Sequence, residues 1–88
     1  MYVIEVIITN KENVRDPEGE TIHRSLVIRR GFNDVAGIRA GKYLEFRVNK
    51  PSCREALEYV KELCYKLRIY NPVVHDIKVR ASGSDSCD

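Results

Sequence analysis

His23 and His75 are the two side chains of this sequence able to exchange a proton near neutral pH. They stand far apart, one in a helical stretch and one where a strand begins, and neither has a Cys, Asp or Glu beside it at metal-ligand spacing. Both read as solvated or capping histidines rather than as an acid–base pair. The three cysteines include no C-x-x-C pair. Cys53 and Cys64 fall on one expected helix, roughly 16 Å apart along its axis, whereas a disulfide needs Cα atoms within about 7 Å. Cys64 lies on the apolar stripe of that helix and reads as core. Cys53 lies in its first turn, where a thiolate can be stabilised, but no basic residue at a telling spacing accompanies it. Gly19 stands where a phosphate cradle could open a helix, yet Glu18 and Glu20 flank it and would repel the ligand. Phosphate-loop, dinucleotide-binding and nucleophile-elbow motifs do not occur. No catalytic residue, no metal ligand and no cofactor site is expected in this chain.

The stretch "AGKYLEFRV", residues 40–48, raises a different chemistry, because a glycine followed by alternating aromatic positions is how the RNA recognition module presents bases with stacking partners. The likeness is superficial. With Gly41 on the motif glycine, the stacking positions fall on Lys42 and Leu44; taken on the outward positions, they fall on Tyr43, Glu45 and Arg47. One aromatic beside a carboxylate is a poor platform for a polyanion. Fifteen basic and thirteen acidic side chains leave a net charge of only +2, without the basic excess a phosphate backbone demands. A small RNA- or nucleotide-binding module is therefore the alternative reading, and no nucleic-acid partner is the preferred one.

These residues need elements to hold them. "YVIEVIIT" alternates and is rich in β-branched residues, so it predicts a strand with Tyr2, Ile4, Val6 and Ile8 on one face and Val3, Glu5, Ile7 and Thr9 on the other. Asp16 and Pro17 predict a helix start, Gly31 its left-handed stop, with Ile22 and Leu26 facing the core. "NDVAGIRA" and "KYLEFRV" predict two strands joined by a tight turn at Gly41. Leu44, Phe46 and Val48 then point inward. Ser52 and Glu55 form a capping box ahead of a second helix, whose stripe is Ala56, Leu57, Val60, Leu63, Cys64 and Leu67 and whose end is set by Asn71 and Pro72. "VVHDIKVR" predicts the last strand. The order β-α-β-β-α-β predicts an α+β, ferredoxin-like fold: a four-stranded antiparallel sheet with two helices on one face. The other face is left bare, carrying Val3, Glu5, Ile7, Tyr43, Glu45, Arg47, Asp76, Lys78 and Arg80.

Eighty-eight residues make one domain, read as 1–80 with a flexible tail over 81–88. So short a chain buries only about 60–65% of its unfolded surface, which favours a partner. With 43% hydrophobic and 32% charged residues it is too charged to enter a bilayer, and no export signal opens it, so no membrane and a cytoplasmic location are expected. A bare face with an apolar centre and charges of both signs suits a copy of itself or another chain.

"VRDPEGETIHRSL", "RRGF", "IRAGKYLEF" and "LCYKLRIYNPVV", in this order and spacing, resemble the PurS family, the small subunit of phosphoribosylformylglycinamidine (FGAM) synthase. The likeness runs from Tyr2 to Arg80. It implies the ferredoxin-like fold, a homodimer or tetramer paired through its sheets, and two further partners: the large synthase subunit PurL, which uses Mg-ATP, and the glutaminase subunit PurQ. It implies a chain that catalyses nothing itself but bridges the two while ammonia from glutamine converts FGAR to FGAM. The positions matching the family pattern are Asp16, Pro17 and Gly19, then Arg39, Gly41, Lys42 and Tyr43, then Asn71 and Pro72. Capping and turn chemistry account for most of them. Arg39, Lys42, Tyr43, Asn71 and Pro72 are the candidates for subunit contacts, and Val3, Glu5, Ile7, Glu45 and Arg47 for the dimer face.

Overall fold

The computed structural model describes residues 1–82. Its elements are β1 (Tyr2–Asn10), α1 (Pro17–Thr21), a π-helical stretch (Ile22–Ile28), β2 (Gly41–Val48), α2 (Cys53–Lys66) and β3 (His75–Ala81). The strands form one antiparallel sheet in the order β2-β1-β3. The β-branched first strand is its centre. Ile4 lies opposite Phe46 and Ala81, Val6 opposite Leu44 and Val79, and Ile8 opposite Lys42 and Ile77. That set makes the inner face, as the alternation predicts.

The sheet has three strands among the described residues, not four. "NDVAGIRA" is irregular because its backbone is engaged with the first helix instead of a sheet edge. His23 Nε2 donates to the Val35 carbonyl at 2.6 Å, and the Ala40 N–H donates to Asp16 Oδ2 at 2.7 Å. Gly41 is correspondingly no hairpin turn. It is the first residue of β2, opposite Thr9, and a Cβ there would collide with the Ile8 carbonyl oxygen, so glycine is needed for close approach rather than for a positive φ.

α2 covers β1 and β3. Ser52 Oγ accepts from the Glu55 N–H at 3.2 Å, and the Glu55 carboxylate accepts back from the Ser52 hydroxyl at 3.3 Å, closing the predicted start side chain to side chain. Ala56, Val60 and Cys64 are fully buried against Ile4 and Val6. Burial of a Val or Ile side chain to that extent contributes roughly 1.5–3 kcal/mol. The helix stops at Lys66, short of Asn71 and Pro72, because Arg68 turns left-handed with φ 55°. The Ile69 N–H then bonds the Cys64 carbonyl at 3.0 Å and the Arg68 N–H the Tyr65 carbonyl at 3.4 Å, a Schellman closure. Leu67, expected on the stripe, is 70% exposed at the C-cap just before that turn.

The first helix departs furthest from expectation. Asp16 caps it, Pro17 opens it and Gly31 ends it at φ 93°, all as predicted. Yet after Thr21 it widens into π geometry, and neither half packs on a strand; Leu26 is 56% exposed. Only α2 therefore lies on the sheet. Residues 17–40 form an arm, and the molecule measures 50 × 27 × 16 Å with a radius of gyration of 16.0 Å. A compact chain of this length would have about 12 Å.

β3 carries the sheet past the expected boundary at residue 80: Ala81 is buried opposite Ile4, and the Ser82 N–H bonds the Val3 carbonyl at 2.9 Å. The rest of the expected tail, 83–88, lies outside the described residues.

Candidate functional site

The bare face of the sheet is built by parity. Glu5 sits between Glu45 and Arg80, Ile7 between Tyr43 and Lys78, Val3 opposite Arg47 and Thr9 opposite Asp76. All nine residues expected on this face are there. Glu5 would meet Glu45 as a like charge, but each has its own cation: Arg80 Nε donates to Glu5 Oε1 at 2.7 Å, and Arg47 lies 3.6 Å from the Glu45 carboxylate. Tyr43 Oη adds a second hydrogen bond to Glu5 Oε2 at 2.9 Å. The Arg80 and Tyr43 bonds hold the Glu5 carboxyl below its ordinary pKa, and the same contact with Glu5 raises that of the Tyr43 phenol. Val3 and Ile7 stay half-exposed at the centre of this network, and Tyr43 is 53% exposed. Chemically, an apolar centre ringed by paired charges can dock a surface.

The subunit-contact candidates do not form one cluster. Tyr43 points to the bare face, while Lys42, one residue earlier, shares the inner parity of Leu44 and lines a cleft of about 210 Å³ with Asn10, Asp16, Glu18 and His75. Arg39 lies at the root of the arm, donating to Thr9 Oγ1 at 3.1 Å and to the Asn10 carbonyl. Asn71 and Pro72 sit in the turn that leads into β3, where Asn71 Oδ1 accepts from the Val73 N–H at 3.0 Å and the Asn71 N–H donates to His75 Nδ1 at 3.0 Å. Asn71 and His75 thus shape a turn before β3. The pairing of Glu5 with Arg80 and the tie from Asp16 to Ala40 escaped the sequence reading. The strand register would have shown the first; nothing local signals the second.

Among the described residues no group of three or more His, Cys, Asp or Glu could hold a metal ion, and no helix is long and apolar enough to cross a membrane. His23 ties the arm helix to the Val35 carbonyl and His75 accepts from the Asn71 N–H in the turn before β3. Cys64 is a free thiol whose burial raises its pKa, away from the reactive thiolate.

A profile of the PurS family, described as Phosphoribosylformylglycinamidine (FGAM) synthase, matches residues 3–83. The chain belongs to the PurS family of FGAM synthase subunits. Among its relatives is the PurS subunit of Methanocaldococcus jannaschii, 38% identical over 80 residues that span 91% of this chain and 94% of the relative. The crystal structure of that protein, one of the subunits of formylglycinamide ribonucleotide amidotransferase in the purine biosynthetic pathway, superposes with a TM-score of 0.78 at 35% identity, covering 93% of this chain and 96% of that one. A chain in the structure of PurLQS from Thermotoga maritima superposes with a TM-score of 0.74 at 37% identity, over 92% and 99% of the two chains. As a PurS-family member, the chain serves a ligase of purine biosynthesis as a non-catalytic subunit.

Proposed function

We propose that this chain is the adaptor of a cytoplasmic, glutamine-dependent FGAM synthase, holding a PurQ-type glutaminase against a PurL-type synthase that consumes Mg-ATP. The observation that carries the reading is the 37% identical chain within the Thermotoga PurLQS structure, matched over nearly its full length. Ammonia released from glutamine is small and is lost to bulk water unless the donor and acceptor sites stay sealed together. A rigid adaptor that fixes their mutual pose therefore raises flux without touching either substrate. The chain itself binds no cofactor in this reading.

The adaptor works as a homodimer. α2 covers the β1 and β3 side of the inner face, so Tyr2, Leu44 and Phe46 on the β2 side are only half-buried, and the arm helix with Leu26 has no sheet beneath it. Two copies can meet both needs reciprocally, each arm covering the other's β2. The outer face, with Val3, Glu5, Ile7, Glu45 and Arg47, then remains for pairing of dimers or for the enzymatic subunits. Arg39, Lys42, Tyr43, Asn71 and Pro72 mark further contact positions.

Reconstitution tests the role. The purified chain should show no glutaminase and no ATPase activity, yet restore glutamine-dependent FGAM synthesis when added to PurL and PurQ; failure to restore it, or glutamine hydrolysis by the chain alone, sinks the proposal. Sedimentation of the chain alone should give a dimer or tetramer, and a monomer at micromolar concentration contradicts the pairing.

A further inference from the structure

No strand lies beneath the arm to set its direction. α1 and the π-helical stretch contact each other but pack on no strand, so the angle between arm and sheet has to be held at the root, where the chain leaves β1 and returns to β2. Three segments meet there in pairs. Asn10 Nδ2 donates to the Arg15 carbonyl at 2.9 Å, tying the end of β1 to the outgoing chain. Arg39 donates to Thr9 Oγ1 and the Asn10 carbonyl, tying the end of β1 to the returning chain. The third side is closed by one carboxylate: Asp16 Oδ1 accepts from the Gly19 N–H at 3.1 Å and Asp16 Oδ2 from the Ala40 N–H at 2.7 Å.

Both bonds to Asp16 are charge-assisted, the stronger class. The fit around them is close. Gly19 is buried, and a Cβ on it would collide with the Ile38 carbonyl oxygen and with Asp16 itself, so helix start and returning chain touch without a side chain between them. A helix cap needs only the first of the two bonds. The second, to a residue twenty-four positions away, is not part of the cap and ties the helix start to the returning chain.

We propose that Asp16 is a positioning residue for assembly, its carboxylate pinning the returning chain to the helix start and so fixing the direction in which the arm leaves the sheet. The consequence for assembly rests on the adaptor reading; the pin itself does not.

The test is a dipolar distance between spin labels on encoded non-cysteine side chains at Ser25, exposed on the arm, and Glu58, exposed on α2, in full chain diluted with unlabelled copies so that only pairs within one chain are read. Asp16→Asn remains a good helix cap but places an amide where Ala40 needs an acceptor; Asp16→Ser keeps the cap and is too short for Ala40. Each should leave the helical far-UV signal unchanged while broadening or shifting the single narrow distance of the wild type. In reconstituted glutamine-dependent synthesis, the concentration of this chain giving half-maximal rate should rise about five-fold, the cost of one hydrogen bond, with the saturating rate unchanged. Wild-type distance and width in both variants overturn the pin. A lower saturating rate with unchanged half-saturation overturns the role in assembly. Should the wild-type chain fail to restore synthesis, the adaptor reading falls, and the distance measurement still decides the pin.

Discussion

Arg80 Nε donates to Glu5 Oε1 at 2.7 Å across the β1–β3 pair, joining residues seventy-five positions apart. From the opposite side Tyr43 Oη reaches the other oxygen of the same carboxylate. One acidic side chain on the central strand thus collects a donor from each neighbour. With its side chain only 15% exposed, Glu5 ties the bare face of the sheet together across its full width.

Acid should loosen this tie in a defined direction. The Glu5 carboxyl is held below its ordinary pKa by Arg80 and then Tyr43, and the Asp16 carboxyl by the Ala40 and then the Gly19 amide. A depressed folded-state pKa gives stability that is complete above the unfolded value and is lost as pH falls through the folded one. The thermal midpoint should therefore be flat from neutrality to about pH 5 and decline below it. Glu5→Gln should lower the midpoint at pH 7 and flatten the acid decline. An acid decline as steep as that of the wild type would show that Glu5 takes no part in it.

Gly41→Ala should destabilise the fold by about 1–3 kcal/mol, because the new methyl meets the Ile8 carbonyl across the β1–β2 pair. Urea unfolding is the measurement, with an unchanged dependence on denaturant. A neutral result would mean that β2 can shift away from β1 without loss.

Arg68→Gly should have the opposite sign. Arg68 is exposed and holds φ 55° to close α2, a conformation that costs an L-residue roughly 1–2 kcal/mol and glycine little. After glycine's greater loss of chain entropy, a net gain of about 1 kcal/mol is expected, or 4–8 °C in Tm. A lower Tm would indicate that the guanidinium makes a contact worth more than the backbone relief.

Lys42 and Tyr43 should separate in assembly assays. They are adjacent in sequence but face opposite sides of the sheet. If the outer face docks a partner, Tyr43→Ala weakens that association and Lys42→Ala leaves it near wild type, with unchanged far-UV spectra in both; equal losses would show that the contact wraps the end of β2.

What could be read from the sequence was what short-range periodicity decides. Ile4, Val6 and Ile8 had to share one face because a pleated strand allows nothing else, and Ala56, Val60 and Cys64 recur at helical spacing. The bare face followed from the same parity. That Lys42 lies on the inner side was present in that alternation too, but reading Gly41 as a turn hid it. The arm was not legible. "NDVAGIRA" has the composition of a strand, and only the distant Asp16 and His23 draw its backbone away from the sheet. Leu26 and Ile22 recur as core residues do, and local pattern cannot tell whether the surface they want belongs to the same chain. The end of α2 was misplaced because its stop is an Arg in a conformation usually left to glycine.

The placement of β1 in the middle of the sheet also sets an order of events during synthesis. β1 precedes both of its partners in the chain, residues 41–48 and residues 75–81, so its amides and apolar side chains on the β3 side wait until the second of them has been made. Loops of this span close slowly and leave the waiting strand open to pairing with other nascent chains. Until β3 docks, β1 is the apolar edge of this sheet most open to another extended chain.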